Sequence, residues 1–209
     1  MSKMLGPPSP LNFIDISRTC ALEYALDMEK LLIVVDYQVD FVVGALGFKG
    51  AELLEPHIVS LIHSFEDSGD DVVFTKDIHE DNYLHEEEGR NLPIPHCLRG
   101  TPGSEFYGQI AELAKKHPVF EKPTFGSAEL LKYIQKKNYR KIALCGLDGS
   151  ICVFANAIVA KTADPDAHIE VYADATGSGD PEALETAYRA MRRLHIDVLR
   201  GPEKVGGIF

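Results

Sequence analysis

The feature that most limits what this chain can fold into is a repeated alternation of short β-branched runs with stretches of helical spacing. Leu31–Val35 (LLIVV) is apolar throughout, as expected for a strand buried on both faces. Helical spacing then places Leu53, Leu54, Ile58, Leu61, Ile62 and Phe65 on one side of the segment Ala51–Ser68, which stops before Gly69. The pattern continues with strands at Asp71–Thr75, Val119–Glu121, Lys141–Cys145, Ile169–Tyr172 and Ile196–Leu199. Helices are expected at Ser104–Lys116 (Ser104 as N-cap), Ala128–Lys136, Ile151–Thr162 and Pro181–Leu194. Such alternation implies right-handed βαβ crossovers, and hence one α/β domain: a parallel sheet of about six strands with helices on both faces.

The chain's 209 residues suit one such domain, taken as 31–209, preceded by an extension at 1–30. Within that extension Pro7, Pro8 and Pro10 bar an early helix, whereas ISRTCALEYALDMEK can form one. A net charge of −11 argues against a partner with a phosphate backbone, so no nucleic acid is expected. No apolar run reaches the roughly 18 residues of a membrane span, and the N-terminus has no apolar signal core. No membrane association is expected, and the location is read as cytoplasmic. The four cysteines show neither zinc-type pairing nor the density of a disulfide framework.

In parallel sheets the ligand site lies beyond the carboxyl ends of the strands. That rule selects Asp36 after the first strand, Asp77 after the second, Lys122 after the third and the turn Gly146–Cys152 after the fourth. A cysteine just inside a helix that follows such a turn feels the helix N-terminus, which favours thiolate, and free N–H groups there can hold an oxyanion. Position alone is equally compatible with a small buried core residue. Asp36 at a strand's end can be an acid/base, a metal ligand or a loop cap, and Lys122 can be a solvated surface lysine. Residues 76–103 form a polar loop too long for a mere connection. Asp77, His79, His85 and His96 within it are donors of the kind that bind first-row transition metals, and Glu88 is among the acids that can add to them.

Taken together, four segments resemble the isochorismatase-like cysteine hydrolases, and nicotinamidases within them, over roughly residues 30 to 200. VVDYQVDF is similar to the first-strand motif, KPTFGSAEL to the segment bearing the active-site lysine, and CGLDGSICVFANAIVA to the nucleophile turn. TKDIH followed by PHCLRGTPGSEFY resembles the metal loop. The resemblance implies an amidohydrolase of NAD salvage, releasing ammonia from nicotinamide through a thioester on Cys152. Asp36 is then the proton shuttle and Lys122 its partner, with an oxyanion hole from the N–H groups of Asp148 and Cys152. It also implies one divalent ion, zinc foremost with iron or manganese as options, held by Asp77, His79 and His96 with His85 or Glu88 as a further ligand. A homo-oligomer and a cis peptide between Leu147 and Asp148 are further expectations.

This sequence departs from the pattern at two places within the motifs. Pro93 stands where an aromatic residue commonly stacks on the substrate ring, leaving Phe41 to supply one aromatic face, and Gly149-Ser150 replaces Thr-Asp in the nucleophile turn. The alternative readings are therefore an amidase of the same superfamily acting on a carbamoyl or ureido compound, or a non-catalytic flavodoxin-like binding protein.

Overall fold

In the computed structural model, which describes residues 30–200, six parallel strands form one sheet. They are β1 (Lys30–Val35), β2 (Asp71–Asp77), β3 (Val119–Lys122), β4 (Lys141–Gly146), β5 (His168–Thr176) and β6 (Ile196–Leu199). The spatial order is β3-β2-β1-β4-β5-β6. The chain builds outward from β1 to β3, then crosses over and builds outward on the other side from β4. Between β1 and β4 the connections leave in opposite directions, which opens a crevice at the carboxyl edge. The expected α/β class and strand number are those observed.

The helices are α1 (Val39–Val42), α2 (Glu55–Asp67), α3 (Glu87–Asn91), α4 (Ile110–Leu113), α5 (Ala128–Ile134), α6 (Cys152–Ala163) and α7 (Pro181–Arg193). Alternate residues of each central strand feed two cores. Leu32, Val34, Phe74 and Cys145 pack with Ile58, Ile62 and Phe65 of α2 on one face. Leu31, Ile33, Val35 and Leu144 pack with Leu130 and Ile134 of α5, Val153 and Ala157 of α6, and Met191 of α7 on the other. This two-sided burial is why the strand sequences are apolar without a break. Among the described residues no helix is long and apolar enough to cross a membrane.

Three expectations need correction. The 76–103 segment is not featureless, because it contains 3-10 turns at Tyr83–His85 and Pro102–Ser104 and the short helix α3. Ser104 does not cap a helix: it closes the second of those turns, and its hydroxyl donates to the Thr101 carbonyl at 2.9 Å. The helix that follows begins only at Ile110, since Gly108 takes a left-handed φ of 56° and interrupts the pattern. The helix expected within residues 1–30, and Cys20 with it, lies outside the described residues.

The turn that ends β4 depends on one glycine. Gly146 has φ 112°, and a Cβ there would stand 2.0 Å from the carbonyl oxygen of Val35 on the adjacent strand. That same oxygen accepts the N–H of Leu147 at 2.9 Å. Both the backbone conformation and the space require glycine. Gly146→Ala is expected to destabilise the fold by at least about 2 kcal/mol, seen as a melting temperature lower by roughly 4–8 °C. A melting curve superimposable on wild type would show that the turn relaxes freely.

Candidate active site

The strand ends bring the separated segments together around one ammonium group. Asp36 follows β1, and Asp77 and Lys122 are the last residues of β2 and β3, paired in register across the sheet. Lys122 is 2% exposed, and its Nζ lies 2.7 Å from Asp36 Oδ2, 3.2 Å from Asp77 Oδ1 and 3.7 Å from Cys152 Sγ. It also donates to the Thr124 carbonyl at 2.9 Å. An ammonium this deep is costly unless its charge and protons are matched, and two carboxylates and a carbonyl do that here. Burial disfavours the charged lysine, yet Asp36, Cys152 and Asp77 outweigh it and hold the pKa above the usual lysine range.

Asp36 is fully buried, sits at φ 43°, and accepts the Thr75 hydroxyl at 2.7 Å. Burial lifts its pKa above the usual carboxylate range, with Lys122 opposing and Asp77 adding to the rise. Cys152 is the first residue of α6, and its Sγ shares Lys122 Nζ with Asp36, at 3.7 Å. The helix N-terminus and Lys122 were expected to favour thiolate, with Asp36 taking the thiol proton. Burial acts against the charged form and pushes the Cys152 thiol above its usual range, with Lys122 opposing and Asp36 and Asp77 adding to the rise. The thiol and a buried carboxylate of raised basicity thus lie on the same ammonium group. Cys145 and Cys97 are buried too, and burial pushes both thiols up.

The turn before Cys152 contains a cis peptide between Leu147 and Asp148. Cys152 opens α6, so its N–H has no acceptor within the helix. Among the described residues the Asp148 N–H joins no turn or loop hydrogen bond, while its carbonyl accepts from Ile151 and Val153. The Asp148 carboxylate is occupied by the backbone N–H of Ser150 at 2.7 Å and its hydroxyl at 2.6 Å. Phe41, Leu92, Asp148, Ser150, Ile151 and Phe154 line part of a largely apolar cleft of about 620 Å³ beside this turn.

A second cluster adjoins the first through Asp77. Its Oδ2 lies 3.0 Å from His79 Nε2 and 3.5 Å from His96 Nε2, and Glu88 Oε1 is 3.7 Å from both nitrogens. Asp77, His79 and His96 are buried, with ligand atoms within 4.8 Å of one another. His96 Nδ1 meets the Ile94 carbonyl at 2.9 Å, so it carries the proton and leaves Nε2 as a lone-pair donor. Glu88 Oε2 is buried without a hydrogen-bond partner. A buried, converging set of carboxylate and imidazole donors with an orphaned oxygen fits a divalent first-row ion. Burial would raise Asp77, but the adjoining His79 and His96 rings and the charge of Lys122 hold it well below the carboxylate range. Burial and the nearby Asp77 charge raise Glu88.

Of the two candidates for a further ligand, Glu88 stands beside the cluster, whereas His85 is exposed and outside it. Phe41 meets the His96 ring edge-on, with centroids 5.5 Å apart. Pro93 is exposed. Tyr83, which sequence reasoning missed, fills the space against His79 and His96 at 4.7 and 5.2 Å between centroids. Gln38 was missed as well. Its side chain accepts the Asp77 N–H at 2.7 Å and donates to the Asp77 carbonyl at 2.8 Å, clamping that residue's backbone. The signal was a lone amide inside DYQVDF. Asn156, four residues past Cys152 in an apolar helix, bonds the Cys152 and Phe125 carbonyls and the Ser127 N–H, tying α6 to the loop after Lys122.

A family model described as the isochorismatase domain matches residues 30–202. The isochorismatase family protein PncA of Bacillus subtilis (strain 168) is 32% identical over 144 residues, 63% of this chain and 78% of that one. Among solved structures, the nicotinamidase/pyrazinamidase PncA of Bacillus subtilis is 31% identical with a TM-score of 0.74, over 82% of this chain and 99% of that chain. A pyrazinamidase of Pyrococcus horikoshii in complex with zinc is 28% identical with a TM-score of 0.73, over 83% of this chain and 99% of that one. Sheet order, the cysteine turn and these matches agree, and the chain belongs to the isochorismatase family.

Proposed function

We propose that this chain is a nicotinamidase, converting nicotinamide to nicotinate and ammonia through a thioester on Cys152. It is an amidohydrolase of its family, in keeping with relatives named as nicotinamidases and pyrazinamidases. The observation that carries the narrower reading is the shared carboxylate of Asp77. One oxygen pairs with the catalytic lysine while the other faces two histidines, so a ring-nitrogen ligand and a carboxamide can be held side by side.

In this reading Asp36 takes the thiol proton, and the sulfur forms a bond to the carboxamide carbon. The N–H groups of Asp148 and Cys152 hold the oxygen that gains charge. Lys122 keeps the net charge of the group favourable as the proton moves between sulfur and carboxylate. Asp36 then gives its proton to the leaving nitrogen, the C–N bond breaks, and ammonia departs. It next takes a proton from water, whose oxygen attacks the thioester and releases the acid and the thiol. Asp77, His79 and His96, with Glu88, would hold a divalent ion, which when bound supplies a coordination position for the pyridine nitrogen and so orients the ring. Zinc, iron and manganese all suit these donors. Phe41 packs against the substrate ring, and the cleft beside Asp148 is its approach. The setting is NAD salvage in the cytoplasm.

Pro93, standing where an aromatic residue commonly stacks on the ring, favours the second reading, an amidase for a carbamoyl or ureido compound, because it removes one aromatic face for a planar ring. An ammonia-release panel of nicotinamide, pyrazinamide and carbamoyl or ureido amides separates the two. Nicotinamide is expected to have the highest kcat/KM, and a better carbamoyl substrate would transfer the assignment. Cys152→Ala is expected to abolish turnover with an unchanged circular dichroism spectrum. Retention of more than a few per cent of activity by that folded variant would remove the nucleophile. His96→Ala is expected to lose the ion and to lower nicotinamide kcat/KM by about 100-fold through misplacement of the ring. Normal hydrolysis by an ion-free variant would refute the orienting role.

A further inference from the structure

The two histidines of the candidate metal cluster differ in how their far nitrogens are held. His96 Nδ1 is anchored on the Ile94 carbonyl. His79 Nδ1 is buried and has no hydrogen-bond partner, although its Nε2 faces Asp77 and Glu88. A histidine that ligates a metal almost always donates its other ring N–H to a carboxylate, a carbonyl or water, which fixes the tautomer. His79 therefore needs a partner on the side away from the cluster.

That side opens into a cavity of about 310 Å³, lined by His79, Glu80, Glu86, Arg99, Glu121 and Lys122 among others. Glu86 Oε2 stands 3.9 Å from His79 Nδ1, just beyond hydrogen-bond range. The Glu86 side chain is 35% exposed, so it has room to turn toward the ring. Two other acids of this loop are committed elsewhere: Glu80 accepts from Arg99 Nε at 2.8 Å, and Glu87 from Arg90 and Asn91. Arg99, the cation lining the cavity beside Lys122, is bridged between Glu80 and Glu121 and does not compete for Glu86. Among the described residues His79 is the only side chain paired with the Glu86 carboxylate.

We propose that Glu86 is the positioning residue for His79, accepting the Nδ1–H so that Nε2 stays unprotonated and aimed at the ion. This rests on the reading that Asp77, His79 and His96 hold a divalent ion. Glu86 acts through the histidine and touches neither substrate nor metal. Its carboxylate also adds basicity to the ring through the hydrogen bond.

The test is a chelator-competition titration with Zn²⁺ and, separately, Co²⁺ on the full chain. Glu86→Ala is expected to bind about 10- to 100-fold more weakly than wild type. Glu86→Gln keeps an acceptor oxygen and is expected to recover most of that loss. Glu87→Ala removes the same charge one residue away and is expected to bind like wild type. Wild-type affinity in Glu86→Ala would overturn the proposal, as would an equal loss in Glu87→Ala, which would show that only loop charge matters. If the wild-type protein binds neither ion, the reading of the cluster itself fails, and the titration shows that before any variant is made.

Discussion

The site is organised by the burial of one positive charge. A lysine ammonium removed from water would lose several kcal/mol unless compensated, and here Asp36, Asp77 and the Thr124 carbonyl all point at it. The compensation works in both directions. Two buried carboxylates so close together would repel each other, and Lys122 is what lets them coexist. Each partner is delivered by a different strand end, so the charge cluster also fixes how β1, β2 and β3 terminate against one another. The thiol of Cys152 enters this cluster from across the switch point, on α6 after β4.

Asp77 makes the two halves of the site one object. The clamp from Gln38 holds its backbone, while its two oxygens divide between Lys122 and the histidines. An ion at the histidines would therefore draw on a carboxylate that also stabilises the lysine. The structural cost of that sharing is visible in the opposite perturbations of neighbouring acids: Asp77 is held low by its cationic and hydrogen-bonding partners, whereas Asp36 and Glu88 are lifted by burial and by the Asp77 charge. In the proposed reading Asp36 is the base that accepts the thiol proton, and such a base gains from being lifted.

Most of this was legible in the sequence where local pattern and topology agree. Unbroken apolar runs identified the strands because both faces of a parallel sheet are covered, and the rule about carboxyl ends then gathered Asp36, Asp77, Lys122 and Cys152 onto one edge. Spatial strand order was not legible, since pairing depends on crossovers that leave no mark in any one segment. Ser104 read as a cap because its residue type suits one, and only the turn at Gly108 shows why the helix starts later. The choice between His85 and Glu88 was equally beyond spacing. A 3-10 turn at Tyr83–His85 leaves His85 outside, and α3 carries Glu88 to the cluster. What the sequence does not carry is depth: at Cys152 burial raises the thiol, and Lys122 opposes that rise.

The two halves also rest on different kinds of support. Asp36, Lys122 and Cys152 sit at the ends of regular elements locked into the sheet, where core packing on both faces holds them. His79, Glu88 and His96 sit on the 76–103 segment, whose order comes from short helices, side-chain bonds and Tyr83 packed against both rings. Loops tolerate substitution better than sheet edges do. Pro93 lies on this segment, so a change in ring recognition here need not disturb the reacting groups. In the proposed reading, the groups that break the amide bond and those that select the amide stand on separate supports, joined at the single carboxylate of Asp77.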